Sequence, residues 1–151
     1  MNLSDILTVD CIQAPLNATD KQNAINELVD LLAQNDMIKN PESLKDAVWS
    51  REQTRTTGIG HGLAIPHGKC DSITSPTLAI GRPSTPMEFE SMDSQPVELI
   101  VLLASPTAST REHIEALASV SRIMNNPSFR DEIYKADNAK DIYDLLVSQG
   151  G

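Results

Sequence analysis

Histidine is the side chain whose unperturbed pKa lies nearest neutrality, the sequence has three, His61, His67 and His113, and an imidazole can act as nucleophile, base or metal ligand at physiological pH. His67 stands in Ile65-Pro66-His67-Gly68, directly after the short apolar run Leu63-Ala64-Ile65. A buried strand stopped by Pro66 would leave the imidazole at a rigid edge, with Gly68 letting the chain turn away. Ligands commonly bind at the ends of strands in open α/β sheets. Upstream lies Thr56-Thr57-Gly58-Ile59-Gly60-His61-Gly62, whose glycines can bring bare backbone N–H groups up to an anion. Arg51 and Arg55, just before it, can offer guanidinium contacts to a phosphoryl group. His113 falls in the first turn of a helix opening at Ser109-Thr110-Arg111-Glu112. There the positive end of the helix dipole favours a neutral imidazole and attracts anions. Folded side by side, His67 and His113 would form a small electropositive site.

Other chemistries compete for the same residues. The Gly-rich stretch matches neither the Walker A pattern nor GxGxxG, so a plain turn competes evenly with a phosphate-related loop. His61, His67, Cys70 and His113 could ligate zinc, although their spacing matches no common zinc pattern. Ser-His-Asp hydrolysis has even less support, because the chain has no GxSxG elbow. Trp49 and the Leu and Ile stripes read most simply as core.

The elements that must position these residues alternate between two periodicities. Thr19 with Gln22 reads as the cap of a helix carrying Ile25, Leu28, Val29 and Leu32 inward. Asn40-Pro41 opens a second helix through Leu44, Ala47 and Val48. Thr77–Gly81 reads as a short strand, and Val97–Ala104, VELIVLLA, is a continuous apolar run of the kind found in strands covered on both faces. Ser109 with Glu112 matches a capping box, and Ile114, Leu117, Ala118 and Ile123 are the expected inner face of its helix. Asn126-Pro127 and Asn138 open two more helices, the last facing Ile142, Leu145 and Leu146 inward. Helices interleaved with short buried strands give an α/β, layered fold.

The 151 residues suit one domain, spanning 1–151, with a core large enough to need no disulfide or structural metal. Aromatic residues make up only 3% of the chain, so that core must rest on Leu, Ile, Val and Ala. Twenty-one acidic residues against twelve Lys and Arg give a net charge of −9, which argues against a nucleic-acid or membrane-surface binder. Cys11 and Cys70 lie far apart without CxxC spacing, and two free thiols suit a reducing compartment. The first residues lack the basic and apolar regions of a secretory leader, and no apolar run approaches the ~20 residues of a membrane span. The expectation is a soluble, cytoplasmic domain without membrane insertion.

The run Ser50–Gly68, SREQTRTTGIGHGLAIPHG, resembles the signature of the enzyme IIA components of the bacterial phosphoenolpyruvate-dependent phosphotransferase system. The class it resembles is the fructose/mannitol type (EIIA type 2), which includes the nitrogen-regulatory IIA proteins. Arg51-Glu52, Thr57-Gly58-Ile59-Gly60, Gly62, Ala64-Ile65-Pro66-His67-Gly68 and His113 match that pattern in order, and the likeness continues through QPVELIVLLASP and the helical C-terminal third. The resemblance implies a three-layer fold, a mixed central β-sheet flanked by helices on both faces. It implies that His67 is the phosphoacceptor, with Arg51 beside the phosphoryl group and His113 as the second histidine of the site. Thr57, Gly58, Gly60, His61 and Gly62 would form the phosphate-binding loop.

His61 stands where the family has Asn, and Arg55 where a small residue is common. The implied chemistry is a phosphotransferase relay through a phosphohistidine, with no cofactor and no metal. The donor would be a histidine phosphocarrier protein and the acceptor a IIB component for sugar uptake. A second expectation is regulatory: a module whose binding to partner proteins depends on the phosphorylation state of His67. The lack of a fused IIB or IIC segment in the sequence modestly favours the nitrogen-regulatory type. Ile59, Leu63 and Met87 are the expected apolar residues of a docking ring around His67.

Overall fold

The computed structural model describes residues 1–150. Its longest strand is the apolar run anticipated above, displaced by two residues at its start. We number the strands β1 (Ile12–Gln13), β2 (Gly58–Gly60), β3 (Leu63–Ala64), β4 (His67–Lys69), β5 (Thr77–Gly81) and β6 (Leu99–Ser105). All seven residues of β6 are buried. Leu99, Val101 and Leu103 enter one hydrophobic cluster and Ile100, Leu102 and Ala104 the other, as the alternation of a strand requires when both faces are covered. Val97 is left outside, in an isolated bridge to Met87.

Strand β6 organises the sheet. The strand order is β1-β5-β6-β3-β2, with β4 also paired to β6. The β5–β6 and β2–β3 pairs are antiparallel, whereas β1–β5, β3–β6 and β4–β6 are parallel, so the sheet is mixed. Strands β3 and β4 follow each other along the same edge of β6, with Ala64 opposite Ile100 and His67 opposite Leu103. Ile65-Pro66 is a gap in one line of pairing, since proline has no N–H for the ladder. His67 therefore lies within a resumed strand rather than beyond the end of one. Gly68 does not turn the chain away either. A Cβ on it would sit 2.9 Å from Val48 Cγ2 and 3.0 Å from the Val48 backbone nitrogen, so the missing side chain lets a helix press onto β4.

That helix is α2 (Pro41–Thr54), which with α1 (Lys21–Gln34) covers one face of the sheet. The other face is covered by α3 (Thr110–Met124), α4 (Pro127–Tyr134), α5 (Ala139–Gly150) and the N-terminal residues Leu3, Ile6 and Leu7. The result is the three-layer α/β arrangement. Among the described residues, no helix is long and apolar enough to cross a membrane.

Most helix starts fall where the caps predict. Asn40, Asn126 and Asn138 each accept a backbone N–H of the first turn. Two starts differ. The cap of α1 is Asp20, which accepts from Asn23 N at 2.9 Å, one residue after Thr19. Ser109 occupies the N-cap of α3 but makes no capping hydrogen bond with its side chain. The inner face of α3 also differs from the apolar stripe. His113, Ala116, Ser119, Val120, Ile123 and Met124 are buried, whereas Ile114 is 59% exposed. Turning His113 inward rotates Ile114 and Ala118 toward solvent, since neighbours on a helix point about 100° apart.

Gly68→Ala should destabilise the chain by about 1–3 kcal/mol, the usual cost of forcing a methyl group into a filled interface. Urea denaturation checks this, and an unchanged midpoint would mean that α2 is not held against β4.

Candidate functional site

His67 is held by the backbone two residues before it. The Ile65 carbonyl lies 2.8 Å from His67 Nδ1. A carbonyl oxygen can only accept, so Nδ1 carries the proton and Nε2 is left with its lone pair. The neutral form is further favoured by burial, which lowers the pKa of His67, and by the positive charges of Arg51 and Lys69 nearby. The Ile65 bond and the carboxylate of Glu52 act in the opposite direction.

His113 packs against His67 with ring centroids 5.4 Å apart and planes at 63°. It is buried, and its Nδ1 lies 2.7 Å from Ser105 Oγ at the end of β6. Burial, together with the positive charge that His67 or Lys69 can carry, lowers its pKa to about 4. Both imidazoles are therefore neutral at pH 7. Lys69 is on the same face as His67, two residues along β4, and donates to Thr110 Oγ1 at 3.2 Å.

His67 opens into a cleft of about 300 Å³ whose walls include Arg51, Arg55, Thr57, Ile59 and Met92. Arg51, in the last turn of α2, donates to the Arg55 carbonyl at 2.9 Å, which fixes its guanidinium at this wall. The loop between α2 and β2 is anchored by Glu52. This carboxylate is buried, accepts from Thr57 N at 2.8 Å and Thr57 Oγ1 at 2.5 Å, and pairs with Lys21 at 2.8 Å. Lys21 in turn lies 4.9 Å from the centre of the Phe89 ring. A larger hollow of about 610 Å³ over α1 is lined by amides and carboxylates, including Glu27 and Asp30. It contains no histidine or cation.

The structure brings His67, His113, Arg51 and Thr57 together, but it does not assemble the glycine loop as a phosphate cradle. The N–H of Thr57 is bonded to Glu52, that of Gly58 to Thr56 Oγ1 and that of His61 to Asp93. Gly60, His61 and Gly62 have φ of +106°, +58° and +81°, and this left-handed run turns the loop away from His67. A Cβ on Gly60 would meet Asp93, and one on Gly62 would meet Tyr134 and Glu98. His61 lines that separate hollow with Asp93, Glu98 and Tyr134, and its carbonyl accepts the Tyr134 hydroxyl at 2.7 Å. Carboxylates there would repel a phosphate.

The zinc set is also dispersed. Cys70 is buried with its Sγ 3.2 Å from Ser72 Oγ, and among the described residues no three His, Cys, Asp or Glu side chains gather in a way that could hold a metal. Of the expected docking residues, Ile59 is 46% exposed, but Leu63 and Met87 are buried. The apolar side chains exposed in their place are Met92 and Ile114. Sequence reasoning missed Lys69 and Ser105 as site residues, and it quoted Glu52 in the signature without giving it a role. Lys69 was signalled by strand alternation from His67, and Ser105 by being the one hydroxyl that ends an apolar strand.

Comparison with known proteins agrees with this architecture. Residues 5–149 match the model of the family described as phosphoenolpyruvate-dependent sugar phosphotransferase system, EIIA 2. The chain belongs to that family. It is 31% identical over 146 residues to the fructose-specific EIIABC component of Bacillus subtilis, covering 97% of this chain but only 23% of that longer protein. It is 30% identical over 150 residues to the fructose-specific EIIA component of Haloferax volcanii, covering 97% of each. The crystal structure of the nitrogen regulatory protein IIA-Ntr from Neisseria meningitidis superposes with a TM-score of 0.86 at 27% identity, covering 94% of this chain and 97% of that one. This EIIA chain is thus a phosphocarrier component of type 2.

The depressed pKa of His113 has a consequence for stability. As pH falls below 6.5 the unfolded chain takes up the proton before the folded EIIA chain does, so stability present at neutral pH is lost progressively toward pH 4. The loss attributable to this residue is at most about 3 kcal/mol. Urea unfolding at pH 7 and pH 4.5 should show a smaller acid loss for His113→Asn than for the natural chain. Equal losses would mean that His113 is not held neutral.

Proposed function

We propose that His67 receives a phosphoryl group on Nε2 from the phosphohistidine of a small phosphocarrier protein and holds it for onward transfer. The observation that carries this reading is the Ile65–His67 hydrogen bond, which gives an otherwise ordinary histidine one exposed lone pair in a cleft beside Arg51. In the transfer, Nε2 attacks phosphorus in line with the departing nitrogen of the donor. The new N–P bond forms as the donor N–P bond breaks. His67 keeps its Nδ1 proton throughout, and the donor, whose phosphohistidine ring carries a proton on its other nitrogen, leaves as a neutral imidazole, so no proton moves and no co-reactant is needed.

The transition state is metaphosphate-like, so the protein's task is alignment and stabilisation of the equatorial oxygens. Arg51 takes that role at the cleft wall and His113 beside the histidine, with Arg55 and Lys69 adding positive potential around them. The relay is reversible because the bond broken and the bond made are of the same kind.

Onward transfer to a cysteine of a IIB component is supported by the Bacillus subtilis relative, which is named an EIIABC component. Regulation through the phosphorylation state of His67 is supported by the likeness to IIA-Ntr. Both outputs use the same relay step, which suits the cytoplasm. Exposed Ile59, Met92 and Ile114 give an acidic protein an apolar rim on which a donor can dock and leave quickly.

The test is intact mass after incubation with phosphoenolpyruvate, enzyme I and the histidine phosphocarrier. The natural chain should gain one acid-labile phosphoryl group, and His67→Ala should gain none. Labelling of His67→Ala to the same extent would overturn the assignment.

A further inference from the structure

We infer that Ser105 is a positioning residue that fixes the tautomer of His113, so that His113 presents an N–H to the phosphoryl group on His67. The inference rests on the relay reading above and adds to it a residue outside the Ser50–Gly68 signature, to which that reading gives no role.

Ser105 is the last residue of β6, and none of it is exposed to solvent. Its backbone carbonyl accepts from Cys70 N at 3.0 Å, so the strand end is fixed to the segment after β4. Its hydroxyl makes one hydrogen bond, with His113 Nδ1 at 2.7 Å. A buried hydroxyl needs an acceptor for its proton, and among the described residues the one it reaches is that ring nitrogen. Ser105 therefore donates, Nδ1 of His113 is the bare nitrogen, and the proton of the neutral ring resides on Nε2.

The two histidines are thus set in opposite tautomers by two different strand ends. The Ile65 carbonyl forces the proton of His67 onto Nδ1 and frees Nε2 as the nucleophile. Ser105 forces the proton of His113 onto Nε2 and makes that nitrogen a donor. The opposite tautomer of His113 would turn a lone pair toward phosphoryl oxygens and repel them. A neutral donor stabilises the transferring group without the tight hold of a full positive charge, and a relay must also release its phosphate.

The experiment has two readouts on the natural chain, Ser105→Ala and Ser105→Thr. Nitrogen-15 NMR of the unphosphorylated protein at pH 7 should show His113 with Nδ1 bare and Nε2 protonated. That signature should be lost in Ser105→Ala and kept in Ser105→Thr, which retains the hydroxyl. The rate of phosphoryl uptake from the phosphocarrier should fall about tenfold to a hundredfold in Ser105→Ala, the range seen when a group orienting a ligating histidine is removed. It should recover toward the natural rate in Ser105→Thr.

A proton on Nδ1 of His113 in the natural chain would overturn the inference, as would an unchanged uptake rate in Ser105→Ala. If the natural chain took up no phosphoryl group, the relay reading itself would fall, and the NMR measurement would still decide whether Ser105 sets the tautomer.

Discussion

The hydrogen bond between the Ile65 carbonyl and His67 Nδ1 is the constraint around which the rest of the site is arranged. Pro66 cannot donate to β6, although its carbonyl still accepts from Leu103 N at 3.0 Å, while the Ile65 N–H points to the other side and donates to the Thr57 carbonyl at 3.0 Å. The Ile65 carbonyl lies on that same side, away from β6, and meets the imidazole two residues on. An imidazole with Nδ1 engaged is a nucleophile only at Nε2, and an imidazole in the middle of a sheet edge cannot swing away.

Around that bond the fold provides rigidity from both layers. On one side Gly68 lets α2 approach closely enough to bring Arg51 to the cleft, and Glu52 fastens the following loop through Thr57 while pairing with Lys21 of α1. On the other side α3 is rotated so that His113, rather than its neighbour Ile114, enters the core beside His67. A buried carboxylate with a cation and two further donors is the arrangement in which a burial cost is offset rather than left standing. The site is positively biased but holds no cation in direct contact with His67. This suits a group that must be accepted and then surrendered.

Much of this was legible in the sequence, and the failures share a physical cause. The apolar run through β6, the Asn-Pro helix starts and the short strand before Pro66 are local signals, and each survives into the fold. The role of the glycine loop is not local. Its spacing allows bare N–H groups, but whether they are free depends on Glu52, Thr56 and Asp93, two of which lie outside the loop. The left-handed turn at Gly60-His61-Gly62 then faces carboxylates instead of His67. Hydrophobic periodicity likewise placed Ile114 inward because it counts apolar residues and cannot know that a histidine will be buried against a serine across the sheet. Ile59, Leu63 and Met87 looked alike as docking residues, and only tertiary packing separates the exposed first from the buried others.

Phosphoryl transfer at this site depends on which nitrogen of His67 is free. The most direct measurement is phosphorus-31 and nitrogen-15 NMR of the phosphorylated chain with labelled histidine, reading the nitrogen to which phosphorus is coupled. Coupling to Nε2 of His67, with the Nδ1 proton still bonded to the Ile65 carbonyl, is the predicted result. Coupling to Nδ1 would require that hydrogen bond to be broken, and would contradict the account at its root.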